Sequence, residues 1–342
     1  MQLNTRLLRR WRWGGLTCLG CGVLMVALGS DARAQFDRSD RMIPTHSYFA
    51  TIATYYNAGE YRRALDQFQS EWRGAIKTAQ SRWIDSICYH TMMGECYYQM
   101  GELDKALEQY TAALRLYISF PDWLVRLVLP SAIRPAMTRQ QVPWGPSTRR
   151  AQLGQYPSTV LMSQGRVNNN AVIQQGGTVQ QAVAFPIQAQ EILRCTALAS
   201  RRRAELMGPL CQYDPLTTEL VTVLSGNPGL PNHWSQAWID VEYGLAMVSG
   251  GRLTEGMATL NRGILAAGQF DHQLTATALF ALGRLHLNSG KFEEALRLFH
   301  EASISAVYYP DYGLVEESIR YGMIAHLAAN RKGPYPPLLT AA

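Results

Sequence analysis

The chain has 342 residues, 47% of them apolar and 17% charged, which excludes a disordered protein and allows one large domain or two ordinary ones. Its net charge is +6, but residues 1–34 hold five arginines against one acid, so the remainder carries only +2. That is too little basicity for a nucleic-acid footprint across a domain.

In chain order, the first feature is a secretion signal at 1–34. Arg6, Arg9, Arg10 and Arg12 precede a mostly apolar, uncharged stretch at 14–30, and Ala32 and Ala34 set small residues before a cut at Gln35. The stretch is marginal as a membrane span, which needs about 20 apolar residues. An uncleaved anchor is the alternative; a lipoprotein cut before Cys21 would leave too short an apolar stretch. The expected location is therefore the periplasm, cell envelope or exterior, with no transmembrane span once the signal is removed.

Helices are expected near 45–58, 60–78, 82–99 and 102–119. Asn57-Ala-Gly-Glu-Tyr-Arg-Arg-Ala-Leu-Asp-Gln-Phe68 aligns without a gap on Gln99-Met-Gly-Glu-Leu-Asp-Lys-Ala-Leu-Glu-Gln-Tyr110. The next segment, 121–186, breaks the pattern: seven prolines, Asn168-Asn-Asn170, Gly176-Gly177 and many glutamines forbid a long helix and predict an irregular insert. From 121 to 213 the chain holds ten arginines, no lysine and three acids. Arg201, Arg202 and Arg203 are the densest point, a candidate site for an anionic envelope polymer, lipid headgroup or acidic protein face. The competing expectation is that these arginines dock on the acidic C-terminal region. Helices follow near 187–207, 215–225, 233–249, 252–267, 271–289, 291–306 and 312–330. A third copy of the repeat stands at Asn288-Ser-Gly-Lys-Phe-Glu-Glu-Ala-Leu-Arg-Leu-Phe299, a weaker fourth at Ser249-Gly-Gly-Arg-Leu-Thr-Glu-Gly-Met-Ala-Thr-Leu260. Residues 333–342, rich in proline, are expected to form a loose, disordered tail.

Each copy reads as two helices around a glycine turn. A small residue sits where the second helix crosses the first, Gly94 facing Ala106 and Gly283 facing Ala295, because a larger one would overpack. This pattern resembles the tetratricopeptide repeat. The best copy, 87–120, matches at Gly94, Tyr97, Gly101, Ala106, Tyr110 and Ala113; the copy at 276–309 matches at Leu282, Gly283, Ala295, Phe299 and Ala302. Two departures stand out. Gly256 replaces the crossing alanine of the fourth copy, and Gly59 to Gly101 and Gly251 to Gly290 are 42 and 39 residues apart, not the family's 34. The resemblance implies an all-α solenoid of helical hairpins: a pair at 35–120, the insert at 121–186, and further repeats at 187–332. It also implies a peptide groove lined by the first helix of each hairpin, with Phe49, Tyr56 and Asn57 from the first copy, Thr91, Glu95, Tyr98 and Gln99 from the best copy, and Phe280, Arg284, Leu287 and Asn288 from the third.

Four cysteines survive signal cleavage. Cys88 and Cys96, eight apart on one helix, cannot bridge each other; Cys195 and Cys211 form the candidate disulfide, and four buried thiols the alternative. No phosphate loop, nucleophile elbow, His-Glu-x-x-His or Cys-x-x-Cys occurs in the mature chain, and the seven histidines are scattered. No catalytic residue, metal or cofactor is expected. The expected function is an exported, non-catalytic scaffold for a protein or peptide. The alternative is an accessory domain of an envelope polymer-processing or secretion system that contacts an anionic polymer through its arginines.

Overall fold

The computed structural model describes residues 42–75, 77–78, 81–136, 141–164, 183–226 and 228–335. The expected signal, the centre of the insert and residues 336–342 lie outside them; the start of the expected loose tail is instead packed, Tyr335 being 7% exposed against His326. The helices come in pairs: α1 (His46–Thr51, continued by a π-helical turn Ile52–Tyr56) with α2 (Tyr61–Arg73), and α3 (Ser86–Gln99) with α4 (Leu103–Ser119). After the insert come α5 (Ala189–Met207) and α6 (Pro215–Ser225), α7 (Gln236–Ser249) and α8 (Leu253–Gly263), and α9 (Thr275–Asn288) and α10 (Phe292–Tyr308). A last helix, α11 (Tyr312–Ala328), closes the stack.

The turns explain the glycines. Gly59, Gly101, Gly251 and Gly290 all adopt φ of 76–78°, a left-handed conformation that would strain a residue with a Cβ. The crossings explain the small residues. A Cβ on Gly94 would lie 2.6 Å from the Tyr110 ring, and one on Gly283 would lie 2.7 Å from Phe299, while Ala106 and Ala295 are fully buried. The departure at Gly256 has the same cause. A Cβ there would meet Val248 at 2.6 Å, and one turn pair further on a Cβ at Gly263 would meet the backbone nitrogen of Val241 at 2.9 Å. Helices α7 and α8 thus approach almost backbone to backbone. Because backbone atoms cannot step aside, Gly263→Ala should destabilise the protein by roughly 1–3 kcal/mol, read as a lower urea midpoint with unchanged slope.

One consequence was not visible in the repeat pattern: α5 and α6 form a hairpin of the same stack. Helix α5 packs on α3 and α4 and then on α7, and α6 packs on α4 and α7. The solenoid therefore runs continuously across the insert, as five hairpins among the described residues. This third hairpin lacks a glycine turn of the repeat type. A 3-10 turn, Gly208–Tyr213, packs on both helices instead and splays them.

The insert is less irregular than its composition predicts. It contains β3 (Arg134–Pro135), β4 (Gln152–Gln155), β5 (Val160–Gln164) and β6 (Val183–Ile187), numbered after a short hairpin of β1 (Lys77–Thr78) and β2 (Ser81–Arg82). Strand β4 pairs in parallel with β7 (Phe270–Asp271), which precedes α9, and β5 pairs antiparallel with β6. The insert is fastened to the C-terminal repeats by side chains as well. Glu301, 1% exposed on α10, accepts from Ser147 Oγ, Thr148 N and Thr148 Oγ1 at 2.5–2.7 Å. Arg149 forks onto Asp271 at 2.6 and 2.9 Å, and the Tyr156 ring stacks among Trp234, Trp238 and Tyr309. Replacing Glu301 by alanine removes three bonds at one buried point, so limited proteolysis should cut between 141 and 151 faster in that variant than in the native chain. No described helix is long and apolar enough to cross a membrane.

Candidate functional site

The groove expected along the first helices is filled at its centre by the chain itself. Helices α3, α5 and α11 curl close enough for their side chains to meet. Glu95 on α3 accepts from the Arg202 Nε at 2.9 Å, from the Tyr110 hydroxyl at 2.5 Å and from the Tyr56 hydroxyl at 3.2 Å. Arg202 also donates to Glu205 at 3.1 Å and to Glu317 on α11, and Arg201 donates to the other oxygen of Glu317 at 2.5 Å. Both guanidiniums lie over aromatic rings, Arg201 over Phe280 at 4.8 Å and Arg202 over Tyr98 at 4.3 Å. All four members of the chain Glu95–Arg202–Glu317–Arg201 keep side-chain exposures of 9% or less.

Burial alone would raise the Glu317 carboxyl, but Arg201 and Arg202 outweigh it and hold Glu317 below the ordinary carboxylate range. The same contest is decided the same way at Glu191, which Arg194, Tyr48 and Cys195 hold low. A depressed folded value means that this stability is complete above the unfolded carboxylate pKa and is lost as acidification passes the folded one. The Tyr56 and Tyr110 hydroxyls are pushed up by burial and by the Glu95 charge, so they stay donors.

This arrangement corrects two expectations. Arg201, Arg202 and Arg203 are not a surface for an anionic polymer. Arg203 points to the other side of α5, where it is 5% exposed and meets Asp214 at 2.7 Å and the Thr217 and Thr111 hydroxyls at 3.1 and 3.2 Å. All three guanidiniums are spent inside the protein, and the chain should leave a heparin column below roughly 0.3 M salt. Nor do Cys195 and Cys211 form a disulfide. Both are free buried thiols. Cys195 Sγ lies 3.3 Å from Glu191 and 3.5 Å from the Tyr48 hydroxyl, whereas Cys211 Sγ lies 3.3 Å from Thr217 at the far end of α5.

The expected groove residues divide by position along their helices. Thr91, Glu95 and Phe280 are buried, Thr91 donating to the Cys195 carbonyl at 3.2 Å, and no peptide can reach them. Phe49 is half-buried in α1, edge-on to Tyr48. The residues nearer each helix C-terminus remain accessible: Asn57, Gln99 and Asn288 are exposed, and Tyr56, Tyr98, Arg284 and Leu287 half-buried. What is left of the groove is therefore a rim on the glycine-turn edge. There a cavity of about 390 Å³ opens between the end of α5, the 3-10 turn, and the ends of α7 and α9, with Arg284 and Asn288 on its wall. A broader depression of about 1210 Å³ lies along α4, but none of the expected groove residues lines it. Among the described residues no cluster of three or more His, Cys, Asp or Glu could hold a metal ion.

Two tetratricopeptide-repeat family models match the chain, at residues 88–119 and 278–307. These are the hairpins α3/α4 and α9/α10, whose Gly94 and Gly283 receive the rings of Tyr110 and Phe299. No curated protein matches the chain. With two repeats matched in sequence and the glycine-turn hairpin present in four of the five pairs, the chain is a tetratricopeptide-repeat protein, an all-α solenoid whose repeats suit a protein-interaction scaffold.

Proposed function

We propose that the chain is an exported, non-catalytic scaffold that holds a protein or peptide partner on the edge where its first helices end. One observation carries the reading: ionic and hydroxyl bonds seal the middle of the concave face, while Tyr98, Gln99, Leu287 and Asn288 stay accessible on one rim. Aromatic, aliphatic and amide side chains together suit a partner offering both apolar and polar contacts. Export rests on the sequence at 1–34.

A photo-reactive side chain placed at Gln99 or Asn288 tests the binding claim. Both positions should yield the same discrete protein adduct from envelope extract, and the exposed Asp66 on α2 should yield none. Adducts of equal yield from all three positions would refute the rim. Export is read separately: the mature chain should begin at Gln35 in an envelope or extracellular fraction, and a chain kept inside with 1–34 intact overturns that part.

A further inference from the structure

The cavity beside the splayed third hairpin has a chemistry the rim does not share. Its volume of about 390 Å³ lies in the range of small-molecule sites. Leu245, Val248, Leu253 and Leu285 give it apolar walls, and the adjoining 3-10 turn exposes Leu210 and Tyr213 at 69% and 78%. Two arginines interrupt this surface. Arg284, half-buried, lies over the Tyr321 ring at 5.2 Å and has no carboxylate partner among the described residues. Arg201 keeps a side-chain exposure of 9% and gives one terminal nitrogen to Glu317, but its Nε is buried with no hydrogen-bond partner. The one acid on the wall, Glu205, is held by Arg202 at 3.1 Å.

An apolar chamber with an uncompensated guanidinium on its wall is complementary to a ligand of one kind. We propose that this cavity binds a small amphiphilic carboxylate, such as a medium-chain fatty acid, with its head on Arg284 and its chain against the leucines. The head would supply what the wall lacks, a negative charge for Arg284. The apolar chain would cover leucine surface now open to water. The cavity shares Asn288 with the rim, and titration of the chain without a partner reads the cavity alone.

Calorimetric titration of the full chain with decanoate, decanol and acetate separates the contributions. Decanoate should bind at least roughly tenfold tighter than decanol, reflecting the charge-assisted bonds, and acetate should give no measurable binding. Arg284→Met should weaken decanoate by roughly tenfold and leave decanol unchanged. Ser249→Trp, which fills the chamber from α7, should abolish both. Equal affinity for decanoate and decanol, no heat from decanoate, decanoate affinity unchanged in Arg284→Met, or binding that survives Ser249→Trp would each overturn the proposal.

Discussion

Replacing Arg202 by methionine should lower the melting temperature by roughly 10 °C, because breaking a buried ion pair costs about 3–5 kcal/mol. The reason is the pair of acids left behind. Arg202 is the one cation bridging Glu95 on α3 and Glu317 on α11. Without it Glu95 keeps only the Tyr56 and Tyr110 hydroxyls, and Glu317 keeps only Arg201. A buried carboxylate that loses its partner takes up a proton more readily. The deficit should therefore shrink on acidification, as protonation removes the buried charge. Combining Arg202→Met with Glu95→Gln should recover most of the loss, since Glu317 then keeps Arg201 and no carboxylate remains buried without a cation. A single variant that melts within 2 °C of the native chain would mean that α3 and α11 do not meet in solution and that the groove is open. In that case Thr91 and Glu95 would return as peptide contacts.

The same cluster marks how far the sequence could be read. Hairpins at α3/α4 and α9/α10 were legible because a turn glycine, a crossing alanine and an aromatic four residues on are local features with fixed spacing. Eleven helices were placed within a few residues of their observed bounds. Helix α2 ended early, at Arg73, because Gly74 caps it and a β-hairpin follows; α8 ended at Gly263 because the chain must turn into β7. The hairpin α5/α6 was not legible as a repeat. Its turn, Gly208-Pro-Leu-Cys-Gln-Tyr213, carries no repeat signature, and its identity lies only in what it packs on. The closed groove was hidden for a similar reason. Glu95, Arg202 and Glu317 are separated by more than 100 residues at each step, and spacing along a chain does not fix the pitch of a superhelix. The sequence did carry a hint: an arginine run flanked by two net-acidic segments. That imbalance is what the Glu95 and Glu317 pairs, Asp214 and Asp271 neutralise. The rim residues lie on first helices or, for Asn57, just past the end of one, and which of them stay open depends on the curl of the stack.

Glu242→Gln should stabilise the protein, and by an amount that grows with pH. Glu242 lies on α7 at 3% exposure, and its one hydrogen-bond partner is the Tyr117 hydroxyl on α4, at 2.7 Å. Its other oxygen is buried with no partner, and no cation pairs with it among the described residues. Burial pushes its pKa up to about 8, against which the Tyr117 bond is too weak. In the unfolded chain the same carboxyl titrates near 4.3. Between these two values the folded state binds the extra proton, so stability is fully present below about pH 4.3 and declines by about 1.4 kcal/mol per pH unit until about pH 8. A glutamine keeps an acceptor for Tyr117 and has no proton to bind. It adds a buried N–H that costs about 1–2 kcal/mol, which leaves a net gain of about 2 kcal/mol at pH 7, or roughly 5 °C in melting temperature. At pH 5 the two chains should melt together, or the variant slightly lower. The sign of the trend separates the causes. If the variant's advantage is the same at pH 5 and pH 8, the carboxyl is already ionised in the folded state, and a cation or water must reach the α4–α7 interface. If the advantage grows with pH, this acid sits neutral in the core and its burial weakens the stack of α4 on α7 as the medium turns alkaline.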